Sequence, residues 1–321
     1  MFVAGPGGQA PGGAPALRLD RALAREFGTH SATALDPDLR VFVADLLRPY
    51  GQLPDEAALA AGRGQSYGEM AEALVRELVP DDRPVDLLIL VFGSPDVQPG
   101  RAAAVHLSRH CPGGPLAFAL GDQGTAGAFS ALRIAREYVR SGDCRRALVV
   151  VAEQAELHYP LTAGAPWPDR HAVVGLLCEA GDGSRGDGLG GPHGLGELLD
   201  HSAVSSERLP GLLLAELAGL ADPTAVLLLG AGLAGVPTPL GFGDVVRART
   251  GSPYTGLWSA LAEGLPGWQA ANRPLVLADH DATLGYLSLA RWQATARRSC
   301  SCSTVHRQET ARPFVQEVAT C

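Results

Sequence analysis

Apolar residues recur along this chain in two alternating patterns. Residues spaced as on one face of a helix predict helices over 66–79, 100–110, 125–140, 209–220 and 254–265. Mostly apolar runs predict strands at 85–92, 115–120, 146–152, 171–179, 225–229, 274–278 and 282–291. Runs without polar alternation are typical of strands that are covered on both faces. The sequence therefore predicts an α/β fold with helices packed on its sheets.

The glycine content divides the chain. Eight of the sixteen residues from 181 to 196 are glycine, which is typical of a loop or linker. We expect a first α/β half over residues 1–185, a glycine-rich linker over 186–208, and a shortened second half over 209–296. The remaining residues, 297–321, are expected to form a polar tail.

Composition and charge exclude several function classes. The chain is 46% hydrophobic and carries a formal net charge of −8, so neither nucleic acid nor an anionic membrane is an expected partner. Its basic residues are all arginine, which excludes lysine Schiff-base and P-loop chemistry. The stretch 224–243 is uncharged but holds five glycines and two prolines, so it predicts a strand and loop rather than a membrane span. The N-terminus lacks the pattern of a secretory signal, and we expect a cytoplasmic protein.

Metal and dinucleotide motifs are also weak. Cys300 and Cys302, with His306 and Cys321, lack the spacing of a structural zinc site, so no metal is expected. Residues 230–235 fit the pattern G-x-G-x-x-G directly after a predicted strand. The prolines at 237 and 239 forbid the helix that would hold a pyrophosphate, so no nucleotide cofactor is expected.

Three segments read together resemble one known family. They are the strand VDLLILVFGSPDVQP at 85–99 with AFALGDQGTAGAFSAL at 117–132, then SGDCRRALVVVAE at 141–153, and RPLVLADHDATLGY at 273–286. The likeness, to ketoacyl-acyl-carrier-protein synthase III of the thiolase superfamily, extends from about Gln65 to Trp292. It implies a thiolase-like fold of two similar α/β halves in a layered α-β-α-β-α arrangement, and a dimer.

The resemblance also shows where catalytic residues should stand. Such synthases use a Cys at a helix N-terminus, where the helix dipole lowers the thiol pKa, together with a His and an Asn. Aligned on the flanking residues, these positions are occupied here by Thr125, Gly230 and Gly251. A hydroxyl needs an adjacent base to attack a thioester, so the condensing set is expected to be lost.

Two of the polar positions have alternative interpretations. Thr125 is either a helix N-cap, a common role for threonine, or a hydroxyl nucleophile. His280 lies between Asp279 and Asp281, where the family has a glycine-rich loop beside its catalytic pocket. It is either part of a polar surface turn or a relocated base for Thr125. Asp122, Gln123 and Asp279 are candidates for lining an acyl pocket.

These expectations lead to two main hypotheses. In the first, the chain is a non-condensing partner subunit, like a chain-length factor, in polyketide or other specialised acyl-chain biosynthesis. It would pair with an active ketosynthase paralogue or with itself, and would meet acyl carrier protein. In the second, it is an acyltransferase that uses Thr125 and His280 to move an acyl group to an amine or alcohol. No cofactor is expected beyond acyl-phosphopantetheine or coenzyme A as substrate. A third possibility is a free-standing binding protein.

Overall fold

The computed structural model describes residues 16–98, 100–159, 167–181, 193–237 and 240–294. The strands are β1 Ala16–Phe27, β2 Leu87–Phe92, β3 Leu116–Leu120, β4 Arg146–Glu153, β5 His171–Gly181, β6 His193–His201, β7 Asp222–Leu229, β8 Phe242–Arg247, β9 Leu275–Asp281 and β10 Tyr286–Gln293. The helices are α1 Pro37–Leu47, α2 Glu56–Ala60, α3 Tyr67–Leu78, α4 Ala103–His110, α5 Gly127–Ser141, α6 Leu209–Leu220 and α7 Gly256–Ala270.

The strands form two five-stranded halves with mirrored order. The full order is β3-β2-β4-β5-β1 followed by β6-β10-β9-β7-β8. In each half two neighbouring ladders are parallel and the others are antiparallel. The halves meet where β1 pairs with β6 over only two residue pairs. In this order β4 of the first half corresponds to β9 of the second, and helix α5 corresponds to α7.

Three apolar cores separate five layers. The central core contains α5 and α7 between the inner faces of both sets of strands, and the ring of Phe129 meets that of Trp258 edge-on at 5.1 Å. A second core lies between the first strands and the outer helices α3 and α4. A third lies between the second strands and α6. This is the predicted α-β-α-β-α arrangement, and it buries both faces of the central strands.

Local sequence signals account for several element boundaries. Helix α3 begins with a capping box, in which the Ser66 hydroxyl accepts from the Glu69 backbone N–H while the Glu69 carboxylate accepts from that of Ser66. Helix α5 ends at Gly142, whose φ of 87° suits glycine best. Strand β2 is an unbroken apolar run that is buried except at its last residue.

The structure differs from the sequence prediction in the expected linker. Strand β6, at His193–His201, lies inside the range 186–208. Its glycines and acidic residues hide the strand pattern, but it pairs with both β1 and β10. Strands β1 and β8 were also missed, because arginine and aspartate interrupt their apolar pattern. The tail from 297, with Cys300, Cys302, His306 and Cys321, lies outside the described residues. Within the described ranges, no helix is long and apolar enough to cross a membrane.

Candidate functional site

Thr125 lies in the turn between β3 and α5, at the boundary between the two halves. It is buried, and its backbone N–H donates to Oδ2 of Asp281, at the end of β9, over 3.1 Å. The other carboxylate oxygen of Asp281 accepts from the backbone N–H groups of Thr283 and Leu284. Gly124 has a φ of +52°, and a β-carbon there would overlap the Asp281 carboxylate. Glycine at 124 therefore permits a carboxylate from the second half to bind the 3-10 turn Gly124–Ala126, which precedes the central helix of the first. The N-cap of α5 is Ala126, so the expectation that Thr125 is the N-cap is wrong.

A carboxylate of the first half makes the corresponding contact with the start of α7 in the second half. Glu153, at the end of β4, is fully buried and accepts from the backbone N–H groups of Tyr254 and Thr255, each at 3.0 Å. It also accepts from the Thr255 hydroxyl at 2.6 Å. Burial raises the pKa of Glu153, although these hydrogen bonds oppose the shift. Each half thus supplies one buried carboxylate to the N-terminus of the other half's central helix, where the helix dipole favours negative charge.

The carboxyl group of Asp279 occupies the space beside Gly230. Gly230 directly follows β7, and a β-carbon at that position would overlap this carboxyl group. Asp279 is 2% exposed, and burial, with a smaller contribution from the charge of Asp281, raises its pKa to about 7. Ser288 lies opposite on β10, and its hydroxyl is buried without a hydrogen-bond partner. The carboxyl group of Asp279, from the neighbouring strand β9, therefore lies where the resemblance leads us to expect the family's histidine.

His280 is buried in β9 with 3% exposure, so the interpretation of residues 279–281 as a polar surface turn is wrong. Successive residues of a strand point to opposite faces. Ala278 belongs to the outer core beside α6, and so does Leu287, the cross-strand partner of His280. His280 therefore lies on the outer face, opposite to Asp281. Among the described residues, no hydrogen bond joins its ring to the Thr125 hydroxyl, and its Nε2 is buried without a partner.

Gly251, the position expected for the family's asparagine, lies five residues before the start of helix α7. Gly251 has a φ of +81°, and its carbonyl accepts from the backbone N–H of Asp169. Tyr254 instead stands at the start of α7, with its ring against Gly93 at the end of β2. Burial and the nearby carboxylates of Asp281 and Glu153 raise the pKa of Tyr254. Sequence reasoning missed Tyr254, because the resemblance pointed three residues earlier.

The residues proposed for the acyl pocket differ in their exposure. Asp122 is exposed and has a φ of +58°, and Gln123 is half-buried, whereas Asp279 is buried in β9. A cavity of about 510 Å³ lies elsewhere, along α7. Its lining includes Glu26, Arg247, Arg249, Ser252 and Glu263 and none of the residues predicted from sequence. The lining combines these charged and polar side chains with apolar ones, among them Val246, Ala260 and Trp268.

The described cysteines offer no substitute nucleophile. Cys111, Cys144 and Cys178 are free and buried in apolar cores. Burial raises the pKa of Cys111 to about 11 and that of Cys144 to about 12, and it raises the pKa of Cys178 as well. A thiol with a raised pKa carries little of the reactive thiolate at neutral pH. In the part of the chain that the structure describes, no activated thiol faces Thr125.

The order of strands and helices gives this chain a thiolase-like fold, which it shares with solved structures of ketoacyl synthase III. Among solved structures it is similar to AbyA1, a tetronic acid condensing enzyme, with 16% identity, a TM-score of 0.57, and coverage of 86% of this chain and 99% of that one. It is also similar to OleA of Xanthomonas campestris, with 11% identity, a TM-score of 0.55, and coverage of 88% and 98%.

A third similar structure is the 3-oxoacyl-(acyl carrier protein) synthase III FabH of Pseudomonas aeruginosa PAO1. It shares 15% identity at a TM-score of 0.51, with 87% of this chain and 98% of that chain covered. No family model matches the sequence, and no curated protein matches it. At these identities the likeness establishes the fold, and the chemistry has to be argued from the residues of this chain.

Proposed function

We propose that this chain is a non-condensing partner subunit in acyl-chain biosynthesis, in the manner of a chain-length factor. One observation carries the proposal: the carboxyl group of Asp279 fills the space beside Gly230, where the synthase III resemblance requires a histidine. The fold neighbours support the broader setting, since they include synthase III enzymes and a tetronic acid condensing enzyme.

The chemistry of the site supports a loss of condensation. Decarboxylation of a malonyl thioester produces an enolate, which needs hydrogen-bond donors around its oxygen. Buried carboxylates such as Asp281 and Glu153 are acceptors and repel that negative charge. Both are already engaged in capping helices, so their arrangement serves to hold the two halves together.

Strand β3 supports pairing with another subunit. It forms one edge of the strand order, and among the described strands it is hydrogen-bonded only to β2. Its sequence LAFAL is apolar, yet Leu116 is 55% exposed and Ala119 is exposed. An exposed apolar edge strand is a natural place for a second strand to pair. The partner would be an active ketosynthase paralogue or a second copy of this chain, and the complex would act on acyl chains carried by acyl carrier protein.

The experiment is co-expression with a ketosynthase paralogue from the same genome and, separately, expression of the chain alone, followed by co-purification and an assay of acyl-chain extension. Ala119→Arg on the edge of β3 should abolish the complex and the activity that depends on it. Ala57→Arg, at an exposed position of α2, is the matched control and should leave both intact. The proposed pairing surface would be contradicted if Ala119→Arg still bound the partner, or if both variants lost partner binding equally.

Thr125→Ala distinguishes this proposal from the acyltransferase alternative. The contact of Thr125 with Asp281 uses its backbone N–H, which alanine keeps, so a partner subunit should retain nearly the full rate of the complex. An acyltransferase that uses the Thr125 hydroxyl should lose turnover entirely. Such an enzyme would need a base other than His280, which lies on the far face of β9.

A further inference from the structure

Three potential metal ligands meet on the outer surface of the first half. Glu72 is on α3, and His106 and His110 are one turn apart on the neighbouring helix α4. One ligand atom from each lies within 4.8 Å of those of the other two. Two imidazoles and a carboxylate are a common donor set for zinc and related divalent ions.

We propose that Glu72, His106 and His110 form a three-ligand site for a divalent transition metal such as Zn²⁺. The sequence did not indicate it, because the two histidines alone carry no metal signature and their carboxylate partner is 34 residues away from His106. The site is independent of the proposed partner function, since it lies on the outer helices rather than between the halves.

The hydrogen bonds that these side chains make outside the cluster suit metal binding. The Nδ1 atom of His110 lies 2.8 Å from the backbone carbonyl of His106, which only accepts hydrogen bonds. The proton of neutral His110 is therefore on Nδ1, and its Nε2 keeps a free lone pair. An imidazole fixed in this way by a carbonyl is the usual arrangement of a metal-ligating histidine.

Glu72 is oriented in a comparable way. One of its oxygens accepts from Arg76, one turn further along α3, and the other lies 2.7 Å from Nε2 of His106. Burial opposes ionisation of Glu72, but the hydrogen bond to His106 and the charges of His110 and Arg76 hold the pKa of this carboxyl group below its usual value. The ring of His106 packs beside Gly68, one turn before Glu72 on α3.

The geometry needs only a small adjustment. Ligands at about 2.0–2.1 Å from a tetrahedral zinc ion are about 3.3 Å apart. The 2.7 Å separation of His106 and Glu72 must widen slightly, and Nε2 of His106 must give up its proton to be replaced by the metal. His110 is exposed, and its ligand atom already lies within 4.8 Å of those of Glu72 and His106, so the three side chains need only close in on the ion. Three protein ligands leave a fourth position for water.

The test uses the full chain with Cys300→Ser, Cys302→Ser and Cys321→Ser, so that the tail thiols bind no metal. Zn²⁺ affinity is measured by competition with a chromophoric chelator, and the ligand type is read from the visible absorption of bound Co²⁺. We expect one equivalent to bind, with no sulfur-to-cobalt band. Both His110→Ala and Glu72→Gln should weaken binding at least about tenfold, as loss of metal-site groups commonly does.

His201→Ala is the matched control, because His201 pairs with Glu216 at 3.1 Å but is not part of a three-ligand cluster among the described residues. It should bind Zn²⁺ like the parent chain. Saturating Zn²⁺ should also raise the Tm of the parent and of His201→Ala, and not that of His110→Ala. Unchanged affinity in His110→Ala and Glu72→Gln, or no binding by the parent, would overturn the proposal.

Discussion

Replacing Asp279 with asparagine should make the protein more stable at alkaline pH. Asp279 is buried beside Gly230, and its pKa is raised from 3.8 to about 7. A carboxyl group whose pKa is raised by folding stabilises the native state below its unfolded pKa, and this contribution is lost as pH rises through the folded value. The wild type should therefore lose stability between about pH 4 and pH 7 relative to a variant that cannot ionise there.

The size of the effect follows from the shift. Each pKa unit corresponds to about 1.4 kcal/mol, so a shift of about three units amounts to roughly 4 kcal/mol. At pH 4 the two proteins should have similar free energies of unfolding, because asparagine resembles the neutral carboxyl group. At pH 8 Asp279→Asn should be more stable by up to this amount.

Urea unfolding at pH 4, 6 and 8 provides the assay, with Asp82→Asn in an exposed turn as the control. The control should shift stability little at any of these pH values. A difference between the wild type and Asp279→Asn that is independent of pH would refute the argument. The argument would also be refuted if Asp279→Asn were less stable than the wild type at pH 8, because the ionised Asp279 would then stabilise the fold.

Two further substitutions test the caps that join the halves. Gly124→Ala should destabilise the fold by more than about 1 kcal/mol, since it puts a side chain at positive φ and against the Asp281 carboxylate; a thermal melt at or above the wild-type Tm would contradict this. Glu153→Ala leaves two buried donors and one half-buried donor unpaired and should cost about 3–5 kcal/mol. Glu137→Ala, in an exposed ion pair on α5, should cost less than about 1 kcal/mol. Equal losses in denaturant unfolding would show that Glu153 does not hold α7.

The sequence predicted those elements whose apolar pattern is uninterrupted. Strands β2 and β4 and helices α3 and α5 lie within two residues of the expected ranges, apart from a short 3-10 turn at Gly124–Ala126 that precedes α5. Strand β6 could not be recognised, because its pattern HGLGELLDH combines glycine with charge, and its pairing partners lie far away in sequence.

The site was harder to predict, because its contacts join distant parts of the chain. Thr125 and Gly230 were identified through the resemblance, but the groups that surround them come from other strands. Asp281 is 156 residues from Thr125, and Glu153 is 102 residues from Thr255. No local spacing encodes such pairs. The face on which His280 lies depends on the register of β9 against β10, which only the structure supplies.

Loss of condensing activity can be measured as the release of carbon dioxide from malonyl-acyl carrier protein by the purified chain alone. We expect no release above background, because Thr125 supplies no thiolate, and Gly230 and Gly251 have no side-chain donor where the resemblance places the histidine and the asparagine. Losing a single oxyanion donor typically lowers a rate by about 10²–10³, and here the donors expected from the family are replaced. Robust release that disappears in Thr125→Ala would contradict the account and identify the chain as a condensing enzyme.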